Sequence, residues 1–163
     1  MGTALILVDF QADNIEQDDK PLRALKRLGD VDVIIASRRY TLTEGKCKKD
    51  TKGARLASAV TKRASVIVTK DGIGPSAFEG GTLRPIVSTE RILKQADVEE
   101  VVVGGYFLEW AVAQTAYDAS ALGYQTTVDL SLTACENSTD EFKINEHFER
   151  LARAGIKVTL ARL

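Results

Sequence analysis

The sequence predicts an α/β fold in which a mainly parallel sheet of six strands lies between two layers of helices. Two observations predict this three-layer αβα arrangement. Six short β-branched runs recur along the chain, and several are apolar on successive positions, as strands covered on both faces must be. Segments with helical spacing of apolar residues separate these runs. Because the alternation continues without a break in composition, we expect a single domain over residues 1–163.

Each predicted helix carries a start or stop signal or an apolar stripe. Pro21 suits a first helical turn, and Gly123 suits a left-handed C-terminal cap. Ser138 and Glu141 form a capping-box pattern at the start of the final helix, which closes at Gly155. The predicted strands are 4–8, 31–36, 65–69, 100–103, 125–130 and 156–160, and the helices before the final one are 21–28, 54–64, 84–95 and 108–122.

Composition and charge exclude several functional classes. The chain is 44% hydrophobic and 28% charged, which excludes a disordered protein. Its net charge of -1 gives no overall field that would attract nucleic acid or an anionic membrane. The apolar runs are far shorter than the roughly 20 residues that cross a bilayer. Cys47 and Cys135 form no CxxC motif, and the chain begins without a secretory-signal pattern, so we expect a reducing cytoplasm.

No motif in the sequence predicts a cofactor. Gly72, Gly74 and the pair Gly80–Gly81 are expected in turns, because no phosphate-binding glycine motif follows a strand. His147 is the single histidine, and we expect it to pack in the last helix. One histidine and two isolated cysteines do not favour a metal centre or a Ser-His-Asp triad.

Charged and aromatic residues follow three of the predicted strands. Asp9 follows the first strand, Lys70 the third, and an aromatic segment at 104–110 the fourth. In α/β sheets, ligands bind beyond the carboxyl ends of the strands, where the strand order reverses. Burial would raise the pKa of Asp9 unless a cation compensates, and Lys70 is placed to be that cation. The same pattern also fits a structural ion pair.

Seven basic residues and two acidic ones lie between Arg38 and Arg55, which gives this segment a net charge of +5. A solvated loop, a binding site for a small anion and a contact with nucleic acid all fit this segment. Nucleic acid is the least favoured of the three, because Tyr40 is its single aromatic residue.

The order and spacing of the motifs resemble those of the isochorismatase-like hydrolases, the superfamily of nicotinamidases, isochorismatases and N-carbamoyl amidases. The resemblance implies a Rossmann-like parallel sheet, a homo-oligomer, and a site made of an aspartate, a lysine and a cysteine nucleophile. The first two match Asp9 and Lys70. It also implies a cis peptide at Tyr106–Phe107. The motifs are ALILVDFQ at 4–11, VTK at 68–70, SAFEG at 76–80, Leu83, VVGG at 102–105, TAYDA at 115–119, GY at 123–124 and AC at 134–135.

The nucleophile position departs from the family pattern. The family cysteine stands at the start of the helix after the fourth strand, where this chain has Ala111. A methyl group cannot attack a carbonyl, and neither Cys47 nor Cys135 aligns with this position. The resemblance still allows backbone N–H groups near Ala111 to stabilise an oxyanion. Isochorismatases within the superfamily typically have a small residue here, and their aspartate protonates the substrate.

The metal ligands of nicotinamidases are missing as well. The resemblance places them at Arg39, Thr41 and Lys46, and none of these residues holds zinc in the usual way. We therefore expect neither a metal nor another cofactor.

Three functional hypotheses follow. The first is a hydrolase of a small carboxylate or amide that works without a cysteine, with Asp9 as acid or base and Lys70 assisting. The second is an inactive family member that binds a ligand or acts as a scaffold. The third is a cysteine amidase in which Ala111 replaces a natural cysteine. Substrate contacts are predicted for Phe10, Gln11, Tyr106, Phe107 and Trp110.

Overall fold

Seven strands form one sheet in the computed structural model, which describes residues 2–70, 75–136 and 139–160. The strand order is β4-β3-β2-β1-β5-β6-β7. All neighbouring pairs are parallel except β3 and β4. The strands are β1 (Gly2–Val8), β2 (Val33–Arg38), β3 (Val66–Lys70), β4 (Gly80–Gly81), β5 (Val98–Tyr106), β6 (Gln125–Ala134) and β7 (Lys157–Thr159).

The prediction of a six-stranded sheet was wrong because of β4. This two-residue strand pairs antiparallel with the end of β3, placing Gly81 opposite Thr69 and Gly80 opposite Lys70, so the sheet is mixed. Two glycines have low strand propensity and were expected in a turn, so no sequence pattern marked the strand. The other turn glycines, Gly72 and Gly74, lie outside the described residues.

The helices are shorter than predicted. They are α1 (Ala12–Ile15), α2 (Lys20–Leu25), α3 (Ser58–Thr61), α4 (Thr89–Gln95), α5 (Ala113–Ala121) and α6 (Glu141–Arg153). A π-helical turn at Leu108–Val112 precedes α5. The carboxylate of Asp140 caps α6 by accepting a hydrogen bond from the Lys143 N–H at 3.2 Å. Asp140 therefore has the capping role predicted for Ser138, which lies outside the described residues.

Helices cover the central strands on both faces. In β1, Leu5 and Leu7 belong to the core shared with α2 and α3, whereas Ile6 belongs to the core shared with α4, α5 and α6. Residues Ala4–Val8 are fully buried, as the continuous apolar run predicts. No helix in the described part of the chain is both long enough and apolar enough to cross a lipid bilayer.

The strand order reverses between β1 and β5. From β1 the sheet continues through β2 and β3 on one side and through β5 and β6 on the other. At the end of β5, Gly105 has φ +137, and a Cβ at this position would collide with the carbonyl oxygen of Val8. Glycine is therefore required, because it lets the ends of β1 and β5 approach closely. This approach brings Asp9 and Tyr106 to one cleft.

Candidate active site

A buried ion pair joins the ends of β1 and β3. The Lys70 Nζ donates hydrogen bonds to the Asp9 Oδ2 at 2.6 Å and to the Pro75 carbonyl at 2.7 Å. The two side chains are only 1% and 3% exposed. The structure thus brings together the two charged residues that the strand-end argument singled out.

Burial shifts both members of the pair towards their neutral forms. It raises the pKa of Asp9, an effect that the neighbouring Lys70 ammonium opposes. It also lowers the pKa of Lys70, and the Asp9 carboxylate opposes that shift. Perturbed groups of this kind are common in sites that transfer protons.

The backbone of Asp9 is held in an uncommon conformation. Its φ of 53 lies in the left-handed region, which costs energy for a residue other than glycine. Three hydrogen bonds hold it there. The Asp9 N–H donates to the Ser37 carbonyl at 3.0 Å, and the Asp9 carbonyl accepts from the Gln11 N–H at 2.7 Å and the Asn14 Nδ2 at 2.9 Å. The carboxylate is therefore aimed by the backbone as well as by Lys70.

A cleft of about 270 Å³ opens over this carboxylate. Its lining comes from the end of β1, from the loop after β2 and from the aromatic segment after β5. Of the predicted site residues, Phe10, Gln11 and Lys70 are absent from the lining, and Lys70 reaches the cleft only through its contact with Asp9. The lining residues are Asp9, Asn14, Arg39, Lys46, Cys47, Pro75, Tyr106, Phe107, Trp110, Ala111 and Glu136.

Phe10 and Gln11 support the cleft from behind. The Phe10 ring packs edge-on against Tyr106, with 5.1 Å between ring centroids. The Gln11 Nε2 donates to the Arg39 carbonyl at 2.7 Å and to the Ala54 carbonyl at 2.8 Å, and its Oε1 accepts from the Arg39 N–H at 3.0 Å. Both side chains are fully buried and position other residues, and their predicted contacts with a substrate stay a prediction.

The aromatic segment lies at the mouth of the cleft. The Tyr106–Phe107 peptide is cis, at the position that the resemblance implies. The Tyr106 hydroxyl donates to the Asp18 carbonyl at 2.6 Å. The Trp110 Nε1 donates to the Glu136 Oε2 at 2.8 Å, while the Trp110 side chain stays largely exposed. An apolar surface is thus available to a ligand beside Asp9.

Ala111 lies in the π-helical turn and lines the cleft. The Thr115 Oγ1 donates to the Ala111 carbonyl at 2.6 Å and accepts from the Ala77 N–H at 3.0 Å, which ties the turn to the segment before β4. The N–H groups of Trp110 and Val112 both donate to the Phe107 carbonyl at 3.1 Å. Because these two N–H groups already have an acceptor, they are poor candidates for the expected oxyanion site.

Sequence reasoning missed Cys47 and Asn14 as lining residues. The Cys47 N–H donates to the Asp13 Oδ2 at 2.6 Å. A Cβ on Gly53 would collide with the same carboxylate, so glycine leaves room for this anchor. Burial, together with the nearby Asp9 carboxylate, raises the pKa of the Cys47 thiol to about 11. The thiol is therefore protonated at neutral pH, and no sequence signal marked its place.

The residues present do not fit the zinc site of a nicotinamidase. The three positions that the resemblance assigns to metal ligands are Arg39, Thr41 and Lys46, and two of these are cations. Over 2–70, 75–136 and 139–160, no cluster of three or more histidine, cysteine or acidic residues could hold a metal ion.

Comparison with known families decides the classification. The Isochorismatase domain family matches residues 3–162. The chain belongs to the isochorismatase family. No curated protein matches it significantly.

Solved structures agree with this family's fold. The yeast nicotinamidase Pnc1p, bound to the inhibitor nicotinaldehyde, is 24% identical and has a TM-score of 0.79, with 96% of this chain and 99% of that chain covered. A pyrazinamidase of Pyrococcus horikoshii in complex with zinc is 24% identical, with a TM-score of 0.73 and coverage of 98% and 99%. An N-carbamoylsarcosine amidase from Thermoplasma acidophilum is 19% identical, with a TM-score of 0.72 and coverage of 98% and 96%. At these identities the likeness establishes the fold.

Proposed function

We propose that this isochorismatase-family chain hydrolyses a small carboxylate or amide, with Asp9 as the acid and base and without a cysteine nucleophile. One observation carries the proposal: the Asp9 carboxylate, paired with Lys70 at 2.6 Å, faces a cleft that has a methyl group at Ala111, where the resemblance to the cysteine amidases of the superfamily implies a thiol. A buried carboxylic acid beside a small cleft can deliver a proton to a bound substrate.

The two oxygens of Asp9 have different surroundings. Oδ2 accepts the short bond from Lys70, whereas Oδ1 accepts a long bond of 3.5 Å from the Ser37 Oγ. Burial raises the pKa of Asp9, which favours a form that carries a proton on Oδ1. Lys70 then stabilises the carboxylate that remains after the proton leaves.

For a vinyl ether, the reaction balances without a covalent intermediate. Asp9 donates its proton to the alkene carbon, and the ether oxygen shares the positive charge of the resulting cation. Water forms a bond to the cationic carbon and returns one proton to Asp9. The hemiketal then breaks its bond to the leaving oxygen, which takes the remaining hydroxyl proton. For an amide, the Asp9 carboxylate takes one proton from water as the water oxygen bonds to the carbonyl carbon. Asp9 then gives that proton to the leaving nitrogen as the C–N bond breaks, and the water's second hydrogen stays on the carboxylic acid product.

Cleft size supports a substrate of about one ring. The volume of about 270 Å³ is near the lower end of small-molecule sites. Nicotinaldehyde, the inhibitor in the yeast nicotinamidase structure, is a compound of this size. Homo-oligomerisation and a cytoplasmic location stay predictions from the sequence.

Ligand binding without turnover is the second candidate function. Ala111 favours it, because the acyl-enzyme route of cysteine amidases needs a nucleophile at this position. In that case the Asp9–Lys70 pair holds the ends of β1 and β3 together and does no proton transfer.

Turnover of a mixed panel of isochorismate, nicotinamide, N-carbamoyl compounds and simple amides, followed by mass spectrometry, tests the proposal. Asp9→Asn should abolish turnover while the protein stays folded by circular dichroism. Asp30→Asn, an exposed aspartate outside the cleft, is the matched control and should keep full activity. Equal turnover by the wild type and Asp9→Asn would refute the acid–base role. No turnover of any compound by the wild type would favour the binding function.

A further inference from the structure

We propose that Arg39 and Lys46 form an anion subsite in the cleft, which binds the carboxylate of a ring-shaped substrate. The reaction that follows binding rests on the proposed function. The subsite itself predicts which ligands bind, and that prediction is tested without turnover. It also explains the disagreement with the zinc site, because the same loop supplies fixed positive charge in place of metal ligands.

The charges that line the cleft favour an anion. Asp9 is neutralised by its contact with Lys70. Glu136 also lines the cleft and contributes one negative charge, because the Trp110 Nε1 that donates to it is an uncharged group; Arg39 and Lys46 set two positive charges against it. Arg39 and Lys46 both line the cleft, and within the described ranges neither forms a salt bridge.

The charge of Arg39 acts on the cleft itself. Arg39 lines the same cleft as Asp9, and its charge opposes the rise that burial causes in the pKa of Asp9 and adds to the fall that burial causes in the pKa of Lys70. A ligand carboxylate bound by Arg39 therefore lies beside the acid that is proposed to do the chemistry. Arginine suits this task because its planar fork matches the two oxygens of a carboxylate.

Hydrogen bonds from the buried Gln11 and the partly buried Thr41 fix the backbone of both cations. Gln11 bonds to the N–H and the carbonyl of Arg39. The Thr41 N–H donates to the Cys47 carbonyl at 3.0 Å, and the Thr41 Oγ1 donates to the Lys46 carbonyl at 3.0 Å. With the Cys47 N–H held by Asp13, the loop has a defined path, and less ordering is needed when a ligand binds.

Shape and chemistry narrow the ligand class. Phe107 and Trp110 line the same cleft, so a flat ring has aromatic surface to pack against. A metal ion can polarise a neutral amide carbonyl. Side-chain cations such as Arg39 and Lys46 attract most strongly a ligand group that already carries a negative charge. The subsite should therefore prefer a ring carboxylate to the neutral amide of the same shape.

Benzoate and benzamide form a matched pair of probes, because they share a ring and differ in charge. Isothermal titration calorimetry measures both affinities in the wild type, in Arg39→Gln, in Lys46→Gln and in the double variant. We expect the wild type to bind benzoate about tenfold more tightly than benzamide, and the double variant to bind both equally. Lys62→Gln, an exposed lysine after α3 and outside the cleft, should keep the wild-type ratio.

Equal affinities in the wild type would overturn the proposal. So would a benzoate preference that persists in the double variant, or no benzoate binding at about 10 mM. Asp9→Asn separates this inference from the proposed function. If the panel shows no turnover but Asp9→Asn and the wild type both prefer benzoate, the subsite stands and the hydrolase does not. If Asp9 controls turnover but no benzoate preference is seen, the hydrolase stands and the subsite does not.

Discussion

The side-chain amide of Gln11 holds the backbone of Arg39 from both sides, donating to its carbonyl at 2.7 Å and accepting from its N–H at 3.0 Å. The Gln11 Nε2 also donates a hydrogen bond to the Ala54 carbonyl, which holds the far end of the same loop in place. Gln11 follows the strand that ends before Asp9, so one short segment aims the carboxylate and also anchors the loop that carries the cations.

Gln11→Leu should therefore lower the free energy of unfolding by about 3 kcal/mol, because it leaves the partly buried N–H and carbonyl of Arg39 and the buried carbonyl of Ala54 without their partner. Urea unfolding measures this loss. Gln17→Leu, at an exposed glutamine, is the control and should change stability by less than about 0.5 kcal/mol. Equal stability of the two variants would contradict the anchoring role. Loss of the anchor should also weaken benzoate binding, even though Gln11 does not line the cleft.

Breaking the buried pair from one side should cost more than removing it altogether. Lys70→Met leaves a buried carboxylate without its cation, and we expect a loss of about 3 to 5 kcal/mol in the free energy of unfolding. The double variant Asp9→Asn/Lys70→Met should lose less than Lys70→Met alone, and therefore less than the sum of the two single changes. Lys94→Met breaks the exposed pair with Glu90 and should cost no more than about 1 kcal/mol. Additive losses at Asp9 and Lys70 would mean that the pair is not coupled.

The same pair should give stability a characteristic pH dependence. Burial raises the pKa of Asp9 above its ordinary 3.8, so the folded protein binds more protons than the unfolded chain just above pH 3.8. The contribution of Asp9 to stability therefore falls as the pH rises from 3.8 through its folded pKa. Burial lowers the pKa of Lys70 below its ordinary 10.5, so the contribution of Lys70 rises with pH from its folded pKa to 10.5.

Urea unfolding of the wild type and of Asp9→Asn/Lys70→Met, from about pH 4 to about pH 10, isolates these contributions. The stability difference, wild type minus double variant, should decrease as the pH rises through the folded pKa of Asp9. It should increase again as the pH rises above the folded pKa of Lys70. A difference that stays constant over this range would show that neither pKa is shifted by folding.

Ala111→Cys tests whether the rest of the family machinery is intact. The new thiol would line the cleft beside Asp9, and we expect iodoacetamide to label it at least about tenfold faster than the native cysteines at neutral pH. Burial raises the thiol pKa of both Cys47 and Cys135 to about 11, so both should react slowly and give a low background. Mass spectrometry of the labelled peptides measures the three rates.

Amidase activity towards nicotinamide in the same variant would support the hypothesis that Ala111 replaces a natural cysteine. A thiol at position 111 that reacts no faster than Cys47 and Cys135 would contradict the expected cleft. Ala111→Ser is the size-matched control for packing, because it adds a hydroxyl of similar volume with much weaker nucleophilicity.

Strand periodicity predicted the main features of the sheet, because burial on both faces leaves a strong apolar pattern. The runs at 4–8 and 100–103 fall inside β1 and β5, and the carboxyl-end rule led to Asp9 and Lys70. The two glycines of β4 have no such pattern, and their pairing depends on the neighbouring end of β3.

Side-chain roles were harder to predict than positions. Gln11 lies next to the reactive carboxylate in sequence, yet its amide bonds to backbone groups 28 and 43 residues away. Cys47 comes to the cleft through a loop whose path depends on Asp13 and on the space at Gly53. Such contacts between distant segments form only once the chain has folded, and no local pattern records them.

Trp110 is the single tryptophan of the chain, and it is 62% exposed. It lines the cleft and donates a hydrogen bond to Glu136. The protein thus carries one tryptophan, whose emission can be excited separately from that of the tyrosines, and this tryptophan lies at the cleft entrance. A molecule that packs against the indole or displaces Glu136 will change the wavelength and the intensity of its emission. Occupancy of the cleft can therefore be followed in real time, without a label and without knowing the substrate, which makes screening for that substrate a simple optical experiment.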